Sequence, residues 1–133
     1  MKWKIAVAVA SAIAVSACGA AIVKAQTTAP AYLPAYFVVL VNVKDEEGYT
    51  KEFLPKVQPL IKEAGGEYVA GGFNKTHPIT GEPPPNRVVI IRFEGGLSAI
   101  GEWYEKQKSI EEEIGHKYAT FQSFAVEGVE PRR

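Results

Sequence analysis

The chain has 133 residues, of which 47% are hydrophobic and 23% are charged, as in an ordinary globular protein of one domain. From this length we expect no second domain of usual size. The 15 basic and 15 acidic residues balance, so the chain lacks the basic excess that is typical of nucleic-acid-binding proteins. We therefore expect no nucleic-acid partner.

The N-terminal segment has the pattern of a secretory signal. Lys2 and Lys4 precede residues 5–23, which carry no charge, and residues 23–25 (Val-Lys-Ala) fit a cleavage site after the alanine. The apolar run is close to the roughly 20 residues that span a bilayer, so a retained membrane anchor is the alternative. We predict a signal peptide over residues 1–25 and a periplasmic or secreted protein. Its mature chain keeps 12 basic and 15 acidic residues, a net charge of −3.

The single cysteine, Cys18, lies inside this segment. Residues 15–18 (Val-Ser-Ala-Cys) resemble the lipobox of bacterial lipoproteins, although residues 19–23 remain apolar, as in a continuing signal. The alternative localisation is thus a membrane-anchored lipoprotein, and we expect membrane contact only through the signal peptide or a lipidated Cys18. A chain that begins after residue 25 has no cysteine, which excludes disulfides and Cys-rich metal sites. We predict no metal and no cofactor.

The remaining chain divides into a linker, one domain and a tail. Residues 26–34 are rich in Thr, Ala and Pro and are predicted to form the linker, followed by the domain at 35–129 and the tail at 130–133. Runs of β-branched and aromatic residues predict four strands. These strands are expected at residues 36–43, 67–70, 87–93 and 121–126.

The first strand is followed by a predicted helix. Asp45 can cap this helix, and apolar residues recur at helical spacing over residues 49–64. Pro55 and Pro59 interrupt that stretch, which predicts a kink or two short helices. The pair at 65–66 (Gly-Gly) is typical of a helix end.

A second helix follows the third strand, begins near Leu97, and either continues or restarts over residues 109–118. The order βαββαβ is that of a ferredoxin-like α+β sandwich, with a four-stranded antiparallel sheet and both helices on one face. The first and third strands are apolar on both faces, whereas the helices cover only one face. We therefore predict a homodimer that packs sheet against sheet; the alternative is a monomer that tolerates a few surface valines.

Several short motifs occur in a recognisable order. They are residues 35–36 (Ala-Tyr), 59–61 (Pro-Leu-Ile), 65–66 (Gly-Gly), 81–89 (from Gly-Glu through three prolines to Asn-Arg-Val-Val), 92–93 (Arg-Phe), 103–104 (Trp-Tyr) and 126–128 (Val-Glu-Gly). Together they resemble the domain-of-unknown-function family 1330, within the dimeric α/β-barrel superfamily. The resemblance implies a two-fold dimer of ferredoxin-like domains, and the family has no established activity.

The chain departs from that family at one place. Its members usually carry an arginine after the second helix and often another at the start of the last strand. Here residues 113–118 read Glu-Ile-Gly-His-Lys-Tyr and residues 121–122 read Phe-Gln. An anion-binding role for those arginines therefore does not carry over.

Five residues are candidates for a site. Arg92 interrupts an apolar strand, and a buried guanidinium needs a carboxylate or an anionic ligand as its partner. Asn42 is the other polar interruption, and with Trp103 and Tyr104 these residues could line a pocket between sheet and helices. In the alternative interpretation, Arg92 forms a salt bridge at the dimer rim and the aromatic residues belong to the core. His116 is the fifth candidate, as a general base or as a residue that interacts with a helix C-terminus.

The other titratable residues predict less. His77 lies in a polar loop, where an exposed structural role is expected. Residues 111–113 (Glu-Glu-Glu) are most simply a solvated helix face, although Glu112 and His116 are four residues apart and could meet.

Three classes of function fit these features. The first is a periplasmic dimer that binds a small molecule or serves a structural role. The second is a cofactor-independent enzyme, similar to the monooxygenases and isomerases of the dimeric α/β-barrel superfamily, with a pocket between sheet and helices. The third is an accessory protein that acts through protein contacts.

Overall fold

The computed structural model describes residues 33–130. Its four strands are β1 (Ala35–Val43), β2 (Gly66–Phe73), β3 (Arg87–Phe93) and β4 (Ala119–Glu127). They form one sheet in the order β2-β3-β1-β4, and every neighbouring pair is antiparallel. This arrangement confirms the predicted α+β fold.

Several predictions concern residues outside the described part of the chain. They are the signal peptide with Cys18, most of the linker at 26–34, and nearly all of the tail at 130–133. Within residues 33–130, neither helix is both long and apolar enough to cross a membrane.

The first helix, α1, comprises the segments Glu46–Gly48, Tyr49–Phe53 and Leu54–Glu63, of which the middle one is π-helical. Asp45 caps it as predicted, since its Oδ1 accepts a hydrogen bond from the backbone N–H of Gly48 at 3.1 Å. The chain stays helical through both prolines. Pro55 lies just after the π-helical segment, and Pro59 lies inside the third segment.

The second helix, α2, follows the same plan. It runs through Gly96–Ile110, a π-helical segment at Glu111–Gly115, and a short turn at His116–Tyr118. The sequence left two alternatives, a continuing helix or a second helix over residues 109–118, and the structure has a continuing helix.

β2 is longer than predicted. The predicted strand ends at residue 70, yet the strand continues through Gly71 and Gly72 to Phe73. These glycines have φ values of +102° and +135°, which other residues rarely adopt. Pairing with β3 holds them in the sheet, with a register shift between Tyr68 and Ala70. Hydrogen bonding to a neighbouring strand therefore outweighs the turn propensity of glycine.

The core lies between the sheet and the helices. On β3, Val89, Ile91 and Phe93 are buried against the helices and alternate with half-buried residues that point to the other face. β1 contributes Phe37 and Val41 to the same side. Ile61, Ile100 and Trp103 are among the helix residues that complete this core. No element among residues 33–130 covers the opposite side, which we call the open face.

Candidate functional site

The two π-helical segments pack against each other above the sheet. Tyr49 and Phe53 of α1 have ring centres 5.1 Å apart, and both lie close to Phe121 of β4. Gly115 of α2 allows this approach, since a Cβ there would lie 2.9 Å from Phe53 and 3.0 Å from Phe121. π-Helical turns widen a helix locally and are frequent at functional sites.

Beneath these segments lies a cavity of about 40 Å³, which we call the inner cavity. Its lining is mainly aromatic and aliphatic. The rings of Phe37, Phe53, Trp103 and Phe121 contribute to it, with polar groups from Tyr49, Arg87, Gln107 and Glu111. A largely apolar lining with a few convergent polar groups is the usual character of a ligand site.

Arg87 is the only cationic residue of this lining among residues 33–130. It is the first residue of β3, on the helix-facing side with Val89, and its Cζ lies 5.4 Å from the centre of the Tyr49 ring. No carboxylate oxygen of residues 33–130 lies within 4.0 Å of its guanidinium nitrogens. Its Nε is buried and has no hydrogen-bond acceptor in that part of the chain. The guanidinium is therefore incompletely satisfied.

Asn86 fixes the position of Arg87. Its Nδ2 donates to the backbone oxygen of Val43, and its Oδ1 accepts from the N–H of the same residue, both at 2.8 Å. Its backbone oxygen accepts from the N–H of Asn74 at 2.7 Å. These bonds join the start of β3 to the end of β1 and to the preceding loop, so the backbone next to Arg87 is held on two sides.

Tyr49 faces Arg87 as a neutral phenol. Burial raises the pKa of Tyr49 to about 12, because desolvation disfavours the phenolate, and the nearby guanidinium opposes this only in part. Burial likewise raises the pKa of Tyr68, at the edge of the cavity. Both hydroxyls can donate hydrogen bonds to a ligand near neutral pH, and neither is suited to act as a base there.

α2 supplies the other polar groups. Gln107 and Glu111 are buried, with 5% and 8% of their surface exposed. The Tyr104 hydroxyl donates to Oε2 of Glu111 at 3.0 Å. Burial, and then this bond to a carboxylate, raise the pKa of Tyr104 to about 12. Trp103 is 2% exposed, and its Nε1–H has no acceptor among residues 33–130.

An outer groove of about 410 Å³ adjoins the inner cavity at the β2 edge. The two spaces share Tyr68, Arg87 and Val89. Gly71 and Gly72 leave the groove without side chains along this part of β2. At Gly71 a side chain is excluded, because a Cβ would collide with the backbone oxygen of Val88. Arg87 therefore stands where the groove meets the cavity.

The structure brings together only some of the predicted site residues. Trp103 lines the inner cavity. Tyr104 is connected to the cavity by its hydrogen bond to Glu111, which is one of the lining residues. Arg92 and Asn42 belong to the open face, because side chains alternate along a strand. Arg92 is 32% exposed and pairs with Glu94, so it is not the buried guanidinium that the sequence suggested. His116 is exposed, with its ring 5.7 Å from that of Phe121.

Sequence reasoning missed Arg87, Tyr49, Gln107 and Glu111. The prediction of a solvated face at residues 111–113 holds for the last two, whereas Glu111 is buried. A signal was present, since residues 100, 103, 107 and 111 recur at helical spacing and place two polar residues on an apolar stripe. Within residues 33–130, no group of His, Cys, Asp and Glu side chains could hold a metal ion.

Comparison with solved structures supports the fold. The chain is similar to a protein of unknown function, RPA0582 from Rhodopseudomonas palustris, with 16% identity and a TM-score of 0.57 over 75% of this chain and 85% of that one. The methylated form of RPA0582 matches equally, with 15% identity, a TM-score of 0.57, and coverage of 77% and 85%. No curated protein matches the sequence.

The family profile described as "Domain of unknown function (DUF1330)" matches residues 34–129. This match covers all four strands and both helices. The motifs, the topology and the profile lead to one conclusion: the chain belongs to the DUF1330 family.

Proposed function

We propose that this protein is an exported homodimer that binds a small molecule in the inner cavity. The observation that carries the proposal is the pair of buried donors, Arg87 Nε and Trp103 Nε1, which have no acceptor among residues 33–130. Both residues line the cavity. A buried donor without a partner costs roughly 1–3 kcal/mol, and an acceptor on a ligand bound at Arg87 would remove that cost for its Nε.

The open face supports the dimer. Tyr36, Val38 and Ile90 are half-buried there, and Phe124 and Val126 are 46% and 45% exposed. Val38 stands between Ile90 and Phe124 across three strands, so these side chains form one continuous apolar row. A second copy related by a two-fold axis would cover this row with an identical one, as closed dimers do.

Native mass spectrometry of protein purified from the periplasm of its host tests the whole proposal. We expect a dimer of chains that begin after residue 25, with an additional small mass retained. An uncleaved chain, or one that begins at a lipidated Cys18, would contradict export with cleavage at residue 25. A monomer without retained mass at micromolar concentration would contradict both dimer and ligand.

Trp103 provides a second measurement. If residues 1–25 are removed, Trp103 is the single tryptophan of the protein, and Trp3→Phe gives the same situation in an unprocessed chain. A ligand that enters the cavity should change its fluorescence, because the ring lies in the cavity wall. Saturable change confirms binding there, and a ligand detected by mass without any change would place binding elsewhere.

A cofactor-independent enzyme is the second candidate, because the carboxylate of Glu111 and the guanidinium of Arg87 line the same cavity. A carboxylate in a cavity that also holds a cation can remove a proton from carbon next to a carbonyl group. Deuterium exchange into a bound carbonyl compound, followed by NMR, tests this candidate. Exchange that is lost in Glu111→Gln while binding persists would support catalysis. Absence of exchange in the unmodified protein would contradict catalysis of this kind.

A further inference from the structure

We infer that the ligand is a small organic monoanion, whose charged group binds Arg87 while a short apolar end enters the inner cavity. This inference rests on the proposed binding function and names the class of molecule that the site takes. Three features carry it: the charge at Arg87, the character and size of the inner cavity, and the position of Arg87 between cavity and groove.

The charge at Arg87 favours an anion. Among residues 33–130, no carboxylate pairs with this guanidinium, and the one carboxylate of the cavity, Glu111, accepts its hydrogen bond from Tyr104. The Tyr49 ring compensates the positive charge only in part. A carboxylate on the ligand would form charge-assisted hydrogen bonds with Arg87, which are the strongest class in proteins.

The inner cavity limits the rest of the ligand. Its volume of about 40 Å³ accommodates only a few heavy atoms, and its walls include the rings of Phe53 and Trp103. An apolar group of two to four carbons suits such a space, because each methylene group that is buried there raises the affinity of the ligand about fourfold. A longer chain would meet the walls.

Arg87 also determines the orientation. It borders both the inner cavity and the outer groove of about 410 Å³, and it is the only cationic residue that lines either space among residues 33–130. A ligand that places its charge on Arg87 therefore directs its apolar end inward, away from water. Polar substituents, where a ligand has them, would lie in the groove along Gly71 and Gly72.

Titration of the protein with a homologous series tests the inference. The probes are acetate, propionate, butyrate, valerate and octanoate, with butyramide as the neutral match of butyrate, followed by Trp103 fluorescence or calorimetry. We expect affinity to rise about fourfold per methylene up to butyrate or valerate and then to stop rising. Butyramide should bind at least about tenfold more weakly than butyrate, since it lacks the charge.

Arg87→Gln should lower butyrate affinity at least about tenfold and remove the preference over butyramide. Lys56→Gln is the matched control, because it removes the same charge from an exposed position of α1 outside both spaces. It should leave affinity unchanged. If Arg87→Gln does not fold, Arg87→Lys keeps the charge and should retain the preference for butyrate.

Two outcomes overturn the inference while the proposed function stands. One is equal affinity for butyrate and butyramide, or unchanged butyrate affinity in Arg87→Gln. The other is that no acid binds although native mass spectrometry detects a retained small molecule. If no acid binds and no mass is retained, the proposed binding function fails as well.

Discussion

The two faces of the sheet come from the same strands but have different environments. On the helix side, Phe37, Ile91 and Phe93 are no more than 6% exposed, whereas Phe124 on the open face is 46% exposed. Their residue types are similar, so composition does not explain the difference. Two helices cover one side of a four-stranded sheet, and the apolar residues on the other side must find their cover from another chain or remain in contact with solvent.

The two faces also differ in the environment of their charged residues, as two arginines of β3 show. Arg92 is on the open face and pairs with Glu94 two residues away, within reach of solvent. Arg87 is on the helix side, next to an aromatic cavity and without a carboxylate partner among residues 33–130. Arg87 thus has a guanidinium donor without an acceptor among residues 33–130, and it is the arginine that is suited to bind a ligand.

Phe93→Ala should have the largest effect. Phe93 is 0% exposed and its ring centre lies 5.3 Å from that of Trp103, so truncation leaves a cavity and lowers the free energy of unfolding by about 3–5 kcal/mol. Phe124→Ala on the open face is the matched control, with an expected loss under about 1 kcal/mol in dilute protein. Denaturant unfolding measures both. Equal losses would mean that the two faces do not differ as described.

Val38→Asp should disrupt the open face without destroying the fold. Val38 lies at the centre of the apolar row, and an unpaired charge there would raise the dimer Kd by about 100-fold or more. Light scattering after size-exclusion chromatography should then detect monomer or aggregate. Ser98→Asp, at an exposed position of α2, should leave the dimer intact. A monomeric unmodified protein at micromolar concentration would contradict the dimer.

Alkaline pH should destabilise the helix side through Tyr49. Its pKa rises from 10.0 in the unfolded chain to about 12 in the folded one, so the folded state binds the proton more tightly. The free energy of unfolding that this pKa shift contributes is fully present below pH 10 and is lost as pH rises towards 12. The loss is about 2–3 kcal/mol for a shift of that size. Unfolding free energies of the unmodified protein and Tyr49→Phe over this range measure it. An identical alkaline loss in Tyr49→Phe would refute the assignment.

Asn86→Ala should have the smallest effect of the four substitutions and pH changes. It should lower the free energy of unfolding by about 1–3 kcal/mol, because two backbone groups of Val43 lose their hydrogen-bond partners. It should also weaken binding at Arg87, whose backbone it positions. Asn42→Ala removes the same side chain from an exposed position of β1 and should cost under about 0.5 kcal/mol. Thermal unfolding compares the two. An Asn86 variant as stable as the Asn42 variant would remove the positioning role.

Local patterns in the sequence determined most of the fold. The strands of β-branched and aromatic residues, the Asp45 cap and the order βαββαβ were confirmed, as was the family. These features depend on neighbouring residues and on periodicity, which any single sequence displays. The length of β2 was wrong because its glycines are held by pairing with β3, which is not a local interaction.

The candidate site depended on tertiary structure. Alternation along β3 was visible in the sequence, but a shift by one residue exchanges the two faces, so only the packed structure could assign Arg87 to the cavity and Arg92 to the open face. The same holds for Tyr49 and Glu111, which belong to different helices and line one cavity because their π-helical segments are adjacent. Contacts between residues far apart in the chain arise from packing, and packing is decided by the whole domain rather than by any segment of it.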